Sequence, residues 1–426
     1  MAGQRKGPFK AWTMVGVGLT CYGFGVSPGY YSWGFFAPEM MAELDLSRQQ
    51  IGDIFGIFNL ILATIALAAG PAIARWGLRR VVSSGAAVAA MGFLLVSRAQ
   101  SAAGLYWSFA VVVALGMGFS TVLAGQTLAI HWFEKYRARA TAIIMVGGAL
   151  VGALVNFVDP WVLDQIGWRG GWIGIAGVSV TVALIAALFL RNRPEDLGLQ
   201  RDGVESSSPE PQQPVAARVT APTDEPRWTA AQALRLPHFY ILAIPAAANS
   251  LLWGVLSAHG RIHFEDLGFA TTAIGAILGI RVGISTFGRL TGSMGDFFSS
   301  TKILGLSLLI SAAGMGGLIY ATSSVLAYTC VVLLGFGYGA GYIAVPVAFG
   351  DFFGRSAFAS SAGVRYSIVG ISLWLGPRWV GAAADASGSY DSSFGILCVI
   401  ALVSAAAAFL VRHPGNGPGT TLPTTQ

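Results

Sequence analysis

Apolar stretches long enough to cross a lipid bilayer recur along the whole chain. A membrane-spanning helix needs about 20 consecutive apolar residues. Twelve such stretches occur, at about 12–37, 51–74, 80–98, 104–131, 138–163, 171–190, 239–259, 271–293, 302–320, 325–349, 358–382 and 392–411. Only 11% of the 426 residues are charged, too few to cover the surface of a soluble protein of this length. The sequence therefore predicts an all-α membrane protein with twelve transmembrane helices.

Basic residues are distributed unevenly between the predicted loops. One side of the bundle receives all four lysines and eight arginines, namely Lys6, Lys10, Lys135, Lys302, Arg75, Arg79, Arg80, Arg137, Arg139, Arg191, Arg193 and Arg355. The loops of the other side hold isolated arginines such as Arg48, Arg98, Arg169 and Arg261. Because cytoplasmic loops are enriched in Lys and Arg, we expect both termini in the cytoplasm. The net charge of +6 then serves contact with anionic lipids, and no nucleic-acid partner is expected.

A polar segment divides the chain into two parts. Residues 191–237 contain seven prolines and the run Ser206-Ser207-Ser208, a composition that cannot bury a core and is typical of a flexible linker. We therefore expect residues 1–190 to form a six-helix bundle, and residues 238–426 to form a second one that ends in a short cytoplasmic tail. Within the linker, Trp228 to Leu236 are expected to form a short amphipathic helix at the membrane surface.

The loops of the two predicted bundles repeat one another. The sequence from Gly70 to Arg80 returns from Gly292 to Lys302, Trp132-Phe133 returns as Phe352-Phe353, and Gly167-Trp168-Arg169 returns as Gly388-Ser389-Tyr390. The offsets, taken as 292 − 70, 352 − 132 and 390 − 168, are 222, 220 and 222 residues. A nearly constant offset indicates a duplicated six-helix unit, with the two bundles related as a parallel repeat.

The segment from Gly70 to Arg80 resembles the motif that joins helices 2 and 3 in the major facilitator superfamily, although Ala74 stands where that motif has an acidic residue. Further segments are similar to those of the monocarboxylate porter and oxalate/formate exchanger branch, namely Arg191–Leu199, Ala233–Tyr240 and Leu375–Asp385. The resemblance implies the major facilitator fold with two pseudo-symmetric bundles. It also implies alternating access with a cytoplasmic gate that contains Arg75, Arg289 and Asp296.

Two arginines lie inside predicted spans. Arg281 is within about one residue of the centre of the eighth span, and Arg365 is about five residues from the middle of the eleventh. A cation at the bilayer centre costs about 2.5–3.5 kcal/mol on insertion scales, and every nearby acidic residue is predicted at a span end. The simplest counter-charge is an anionic substrate, since a guanidinium binds a carboxylate with two parallel hydrogen bonds. The alternative is that each arginine binds backbone carbonyls at a helix break or extends along the helix to the membrane surface.

Aromatic and amide side chains are candidates for lining the same site. Residues four apart share one face of a helix, which pairs Tyr338 with Tyr342 and Asn249 with Trp253. The candidate lining residues are Tyr338, Tyr342, Asn249, Trp253, Tyr31 and Gln126, and packing is the alternative role for each of them. His259 and His263 are also four apart, but without a third ligand nearby in sequence we expect surface histidines and no metal site.

These features predict a secondary transporter, not an enzyme, that moves a small mono- or dicarboxylate by alternating access without a cofactor. Exchange of one anion for another is favoured, because two unneutralised cations resist desolvation in an empty closed site. Proton symport remains the open alternative for coupling. On the same fold, an exporter of a different small molecule or drug and a non-transporting sensor are the alternative functions. We expect a monomer among the lipids of a cell membrane, the inner membrane of a bacterium.

Overall fold

A computed structural model describes residues 7–197, 201, 228–291 and 298–414, and these residues form helices and connecting turns without a strand. Twelve helices of 19 or more residues follow one another in the described chain. They are α1 (Gly7–Leu44), α2 (Arg48–Trp76), α3 (Leu78–Ser97), α4 (Ala102–Trp132), α5 (137–166), α6 (168–189), α7 (Pro237–Asp266), α8 (Thr271–Leu290), α9 (Ser300–Leu318), α10 (324–353), α11 (355–387) and α12 (Asp391–Leu410). The predicted twelve-helix architecture is confirmed.

Length and composition alone identify most of these helices as membrane spans. Eight helical segments of the described chain are long and apolar enough to cross a membrane, and one of them, Arg139–Phe189, includes parts of both α5 and α6. A bent pair, Arg48–Ile65 and Leu67–Trp76 at 48° to each other, makes a ninth candidate.

Single residues set several helix boundaries. Ser47 and Gln50 form a capping box, so α2 begins at Arg48, three residues before its predicted start. Gly167, with φ of 66°, separates α5 from α6, and Gly354, with φ of 75°, separates α10 from α11. Only glycine adopts such a φ without a steric penalty, so the chain can reverse direction there without a longer loop.

The internal repeat is visible in the helix register. α3 and α9 begin at residues 78 and 300, and α4 and α10 begin at 102 and 324, an offset of 222 in both cases. We call the end of the bundle where α1 begins and α12 ends the terminal face, and the other end the opposite face. Gly167 and Gly388, the repeated loop glycines, both have a positive φ at the opposite face.

The two bundles meet along three pairs of helices in which glycines allow close approach. Gly34 of α1 lies against the carbonyl of Ser257 in α7, and Gly56 of α2 lies against the backbone of Trp374 in α11. Along the third pair, α5 and α8, glycines of α8 face Asn156, Phe157 and Pro160 of α5. Helices of different bundles therefore contact each other at backbone distance.

Two short helical elements lie at the ends of the predicted linker. Pro194–Leu197 form a 3-10 turn after α6. The predicted short helix is present as Ala230–Arg235 and is capped by Thr229 and Gln232. Residues 198–200 and 202–227 of the predicted linker lie outside the described residues.

Candidate functional site

Arg281 occupies the eleventh of the twenty positions of α8, and it is 2% exposed. Its Nη1 donates to the carbonyl of Trp253 at 3.3 Å, and its Nη2 donates to the Ser257 hydroxyl at 3.0 Å. Among the described residues, its Nε has no hydrogen-bond partner and no Asp or Glu forms an ion pair with it. The structure thus contains a buried, unneutralised guanidinium that retains a free donor.

Aromatic rings from three helices surround this guanidinium. Its central carbon lies 4.2 Å from the ring centroid of Trp253 on α7. Trp253 stacks on Tyr338 of α10, with centroids 3.9 Å apart and ring planes 15° apart, and Tyr31 of α1 meets Trp253 edge-on at 6.3 Å. Cation–π attraction stabilises a desolvated guanidinium on such a face by about 2 kcal/mol. Both bundles contribute rings to this cluster.

A small cavity borders Arg281. Its lining residues are Asn249, Leu252, Trp253, Arg281, Ser311, Leu334 and Tyr338, and its volume is about 10 Å³, which is room for about one water molecule. Asn249 donates to the carbonyl of Tyr338 at 3.4 Å, while its Oδ1 has no partner among the described residues. The cavity is closed in this conformation, so the helices must separate before a larger solute can reach Arg281.

Tyr342 and Arg289 extend the aromatic cluster toward the terminal face. Tyr342 lies 5.9 Å from Tyr338, and the guanidinium of Arg289 lies 4.9 Å from the ring of Tyr342. Arg289 also donates to the carbonyl of Met145 in α5 at 3.1 Å. This contact joins the two bundles and is compatible with the predicted gating role, which stays a prediction.

Arg365 does not join Arg281 at the cavity. It is 4% exposed, and its guanidinium lies 5.0 Å from the ring of Phe349 and 5.1 Å from that of Tyr366. Arg281 lies halfway along α8, whereas Arg365 is the eleventh residue of the 33 in α11, about 9 Å from the middle of that helix. This difference in depth keeps the two predicted cations apart in this conformation.

Three other predicted site residues also lie away from the cavity or cannot be placed. Gln126 is half-buried in α4 and is not one of the cavity residues. Arg75 is exposed at the end of α2, with its guanidinium 5.8 Å from the ring of Trp76. Asp296 lies outside the described residues.

An ion-pair network at the opposite face was not predicted. Arg261 of α7 is 3% exposed and binds Glu39 of α1 through Nη1 at 2.8 Å and Nη2 at 2.5 Å. Arg261 also donates to the carbonyl of Phe35 and, through Nε at 2.7 Å, to Glu265. The sequence prediction placed Arg261 in a loop, but α7 continues to Asp266. The spacing of Arg261 and Glu265, four residues apart, was the available signal.

Further polar contacts join the bundles at this face. Asp53 of α2 is 7% exposed; it accepts from Trp374 at 3.0 Å and pairs with Arg378 at 3.0 Å, both on α11. Arg48 pairs with Asp266 at 2.6 Å. Asp385 of α11 accepts the backbone N–H groups of the first residues of α2 at 3.0 and 2.9 Å. The opposite face is therefore closed by charged groups from both bundles.

The two histidines of α7 are buried, which corrects their expected surface position. His259 is 0% exposed, with Nε2 2.9 Å from the carbonyl of Pro377 and Nδ1 3.3 Å from the Tyr390 hydroxyl. His263 is 2% exposed and lies 3.3 Å from the carbonyl of Leu318. Both rings pack within the closed face because α7 is longer than predicted.

We expect Gly34→Ala to weaken this closure. A Cβ at Gly34 would collide with the carbonyl of Ser257, which is backbone and cannot move without moving α7. The clash should destabilise the closed conformation by about 1–3 kcal/mol and lower the thermal unfolding temperature of the purified protein by several degrees. Gly16→Ala is the control, since a Cβ at Gly16 of the same helix meets nothing within 4 Å. Equal unfolding temperatures for the two variants would contradict the close contact.

Twelve helices in two repeated bundles, with a buried cation near the centre and aromatic rings from both bundles around it, are typical of a membrane transporter. The family description "Major Facilitator Superfamily" matches residues 13–292, more than half of the chain. The chain belongs to the major facilitator superfamily.

Curated relatives and solved structures cover nearly the whole chain. An uncharacterized transporter of this type from Escherichia coli K12, YhjX, is 24% identical over 368 residues, which are 84% of each chain. The multidrug resistance protein MdtL of Shigella flexneri is 25% identical over 377 residues, 86% of this chain and 88% of MdtL.

Among solved structures, a bacterial homologue of the human lysosomal transporter Spinster, inward-facing and unoccupied, has a TM-score of 0.74 at 17% identity and covers 96% of this chain and 97% of its own. The nucleoside transporter NupG has a TM-score of 0.70 at 13% identity, with 93% and 99% covered. These structural likenesses confirm the fold. The comparisons also confirm the superfamily that the sequence motifs resemble, but not a particular branch of it.

Proposed function

We propose that this protein is a secondary transporter of small organic anions, mono- or dicarboxylates, and that Arg281 binds the carboxylate. The observation that carries the proposal is the buried guanidinium of Arg281, which has a free Nε donor and no acidic partner in the described chain. Leaving a buried charge without a partner costs about 3–5 kcal/mol. A carboxylate ligand would remove this cost, because it supplies both the opposite charge and two acceptors.

The surroundings of Arg281 suit an anion with a flat or apolar body. Trp253 and Tyr338 present stacked rings beside the guanidinium, and Leu252 and Leu334 add apolar surface. Asn249, with its free Oδ1, would accept a hydrogen bond from a hydroxyl of the substrate. In this proposal Tyr342 and Tyr31 extend the binding surface. Arg365 and Gln126 are proposed to reach the substrate only in another conformation.

Export of a drug-like molecule is the second candidate function. It is favoured by the similarity to MdtL, which is named as a multidrug resistance protein. A cluster of stacked aromatic rings also suits a flat apolar compound. The two functions differ in one requirement, since only the organic anion needs the positive charge of Arg281.

The coupling and the orientation follow from the same proposal. The protein is proposed to lie in the inner membrane of a bacterial cell with both chain ends in the cytoplasm. The terminal face has more arginines than the opposite face, and cytoplasmic loops are enriched in Lys and Arg. Exchange of anions is the proposed mode of transport. Without a bound anion, the charge of Arg281 is desolvated and unneutralised in the closed state, which makes the return of the empty transporter unfavourable.

A thermal-shift measurement on the purified protein tests the anion site. A carboxylate substrate at about 100 times its dissociation constant should stabilise the protein by about 2.7 kcal/mol, which raises the unfolding temperature by several degrees. Arg281→Gln should fold, because it removes a buried unneutralised charge, and should show no shift with any carboxylate. Equal shifts in both proteins would contradict the proposal, and shifts in both with an apolar drug would support the exporter.

A further inference from the structure

A buried acidic residue, Asp159, lies in α5 near the opposite face. The sequence prediction placed it at the end of a span. α5 continues to residue 166, so Asp159 lies seven residues inside the helix, about 10 Å from its end. Asp159 is 4% exposed, whereas its neighbour Trp161 is 63% exposed on the lipid-facing side. The carboxyl therefore points into the protein, away from lipid and water.

The hydrogen bonding of Asp159 suits a neutral acid better than a carboxylate. Ser32 of α1 lies 3.0 Å from Oδ1, and Oδ2 has no hydrogen-bond partner among the described residues. A carboxylate accepts hydrogen bonds only and has about four acceptor positions, of which this site fills one. A protonated Asp159 can instead donate its proton to the Ser32 oxygen and carries no charge to desolvate.

The charged group that acts on Asp159 from a neighbouring helix favours its ionised form, but this cation is already shared with other carboxylates. Arg261 of α7 is the basic group within electrostatic range, but it already binds two carboxylates, Glu39 of α1 and Glu265 of α7. These two carboxylates compete for the positive charge of Arg261, so its attraction for an ionised Asp159 offsets only part of the cost of burying that charge. On the side of α8, the residue next to this turn of α5 is Gly275, which has no side chain.

We propose that Asp159 is a proton-binding site whose occupancy is linked to closure of the opposite face. With the face closed, Asp159 is shielded from water and holds a proton between α5 and α1, at its contact with Ser32. When the bundles separate at this face, the Arg261–Glu39 pair breaks, water reaches Asp159, and the proton passes to water to form hydronium. Reprotonation from the same solution restores the acid before the face closes again.

The sign of the linkage follows from the state that binds the proton more tightly. The closed state binds it more tightly, because there the carboxylate would be desolvated. Protonation therefore stabilises the closed state at low pH, and this contribution is lost as the pH rises. In the proposed orientation, protons from outside the cell promote closure behind an entering anion. This inference rests on the proposed transport function and adds control of its closing step by the external pH.

Spin labels on the two bundles test this linkage without any substrate. Gln100 and Thr322 are exposed in equivalent loops of the opposite face, and both are replaced by labelled cysteine after Cys21, Cys330 and Cys398 are changed to alanine. In wild-type background the label distances, measured by pulsed electron resonance in nanodiscs, should shift from short to long between about pH 5 and about pH 9.

Asp159→Asn mimics the protonated acid, so its short distances should persist over the whole pH range. Asp164→Asn is the control, because Asp164 is an exposed acid of the same helix, and it should behave as the wild type does. A wild type that does not shift, or an Asp159→Asn variant that shifts as the wild type does, would overturn the proposal.

An infrared measurement on the unmodified protein gives an independent check if Asp159→Asn does not fold. The purified protein at low pH should show the carbonyl band of a protonated carboxylic acid that resists exchange with solvent, and the band should disappear as the opposite face opens at high pH. Absence of such a band would overturn the proposal. Since neither measurement includes a carboxylate, a failure here is distinguishable from a failure of the anion site.

Discussion

Replacing Arg281 by alanine is expected to lower the initial rate of carboxylate uptake into proteoliposomes by about 100-fold or more. Truncating one partner of a buried, hydrogen-bonded charge pair costs about 2–5 kcal/mol, and 2.7 kcal/mol corresponds to a factor of 100. Arg281→Lys should also lose most of the uptake. An ammonium keeps the charge, but it lacks the planar fork that binds a carboxylate with two hydrogen bonds and that stacks on Trp253 at 4.2 Å.

The control for this prediction is Arg98→Ala, which removes an exposed arginine at the end of α3. Its uptake should remain within about twofold of wild type, since exposed single charges contribute little. Insertion and folding are verified by gel filtration and by the thermal unfolding of each variant. If Arg281→Ala transports the carboxylate at the wild-type rate, the arginine serves only to bind the carbonyl of Trp253 and the hydroxyl of Ser257.

Arg261→Met is expected to open the opposite face. The substitution keeps an apolar stem of similar length but leaves Glu39 and Glu265 without their common partner. Breaking the ion pair between Arg261 and Glu39 costs about 3–5 kcal/mol, and this cost applies only to the closed state, in which α1 and α7 are in contact. The pair of Arg261 with Glu265 lies within α7, so its loss affects the open and closed states alike. A change of about 3 kcal/mol shifts the ratio of open to closed molecules by about 100-fold.

Thiol labelling measures this ratio. Ala258 is 0% exposed and lies one turn before Arg261 on α7, so a cysteine at this position reacts only when the face opens. In a background free of the native cysteines, Arg261→Met should raise the labelling rate of Ala258→Cys by about 100-fold.

The matched control is Arg169→Met, because Arg169 pairs with Glu43 at the same face but within a single bundle. Arg169→Met should leave the labelling rate nearly unchanged. Comparable rates for the two methionine variants would contradict a gate formed by Arg261.

Most of the fold could be predicted from the sequence, because its determinants are local. Each span needs about 20 apolar residues in succession, and the repeat is visible as a constant offset between loops such as Gly167 and Gly388. Helix lengths were less predictable. α7 continues seven residues beyond its predicted end, since Arg261 is neutralised by Glu39 of another helix and so remains inside the bundle.

The position of Arg281 at the centre of the candidate site could be predicted, because a charged residue in the middle of an apolar span is rare. A lone arginine in the middle of an apolar span is costly, and residues four apart on one helix place Asn249 beside Trp253. The polar contacts that join the bundles at the opposite face were not predictable. Asp53 and Arg378 are separated by more than 300 positions in the sequence, and only the packing of α2 against α11 brings them within 3.0 Å.

The stacking of Trp253 on Tyr338 and the separation of Arg365 from Arg281 also depend on tertiary packing. Each of these side chains occupies a predicted helix, but its rotation relative to the other helices is fixed only when the bundles assemble. Sequence periodicity shows on which face of its own helix a residue lies. It does not show which other helix packs against that face.

The most direct test of the anion site is counterflow in proteoliposomes of the wild-type protein, with a panel of labelled monocarboxylates, dicarboxylates, amines and neutral apolar compounds. We predict that at least one carboxylate exchanges against itself, that unlabelled carboxylates of similar shape compete with it, and that amines and neutral compounds neither exchange nor compete. Exchange of an amine or a neutral compound, with no carboxylate carried, would contradict the account and leave Arg281 a structural residue.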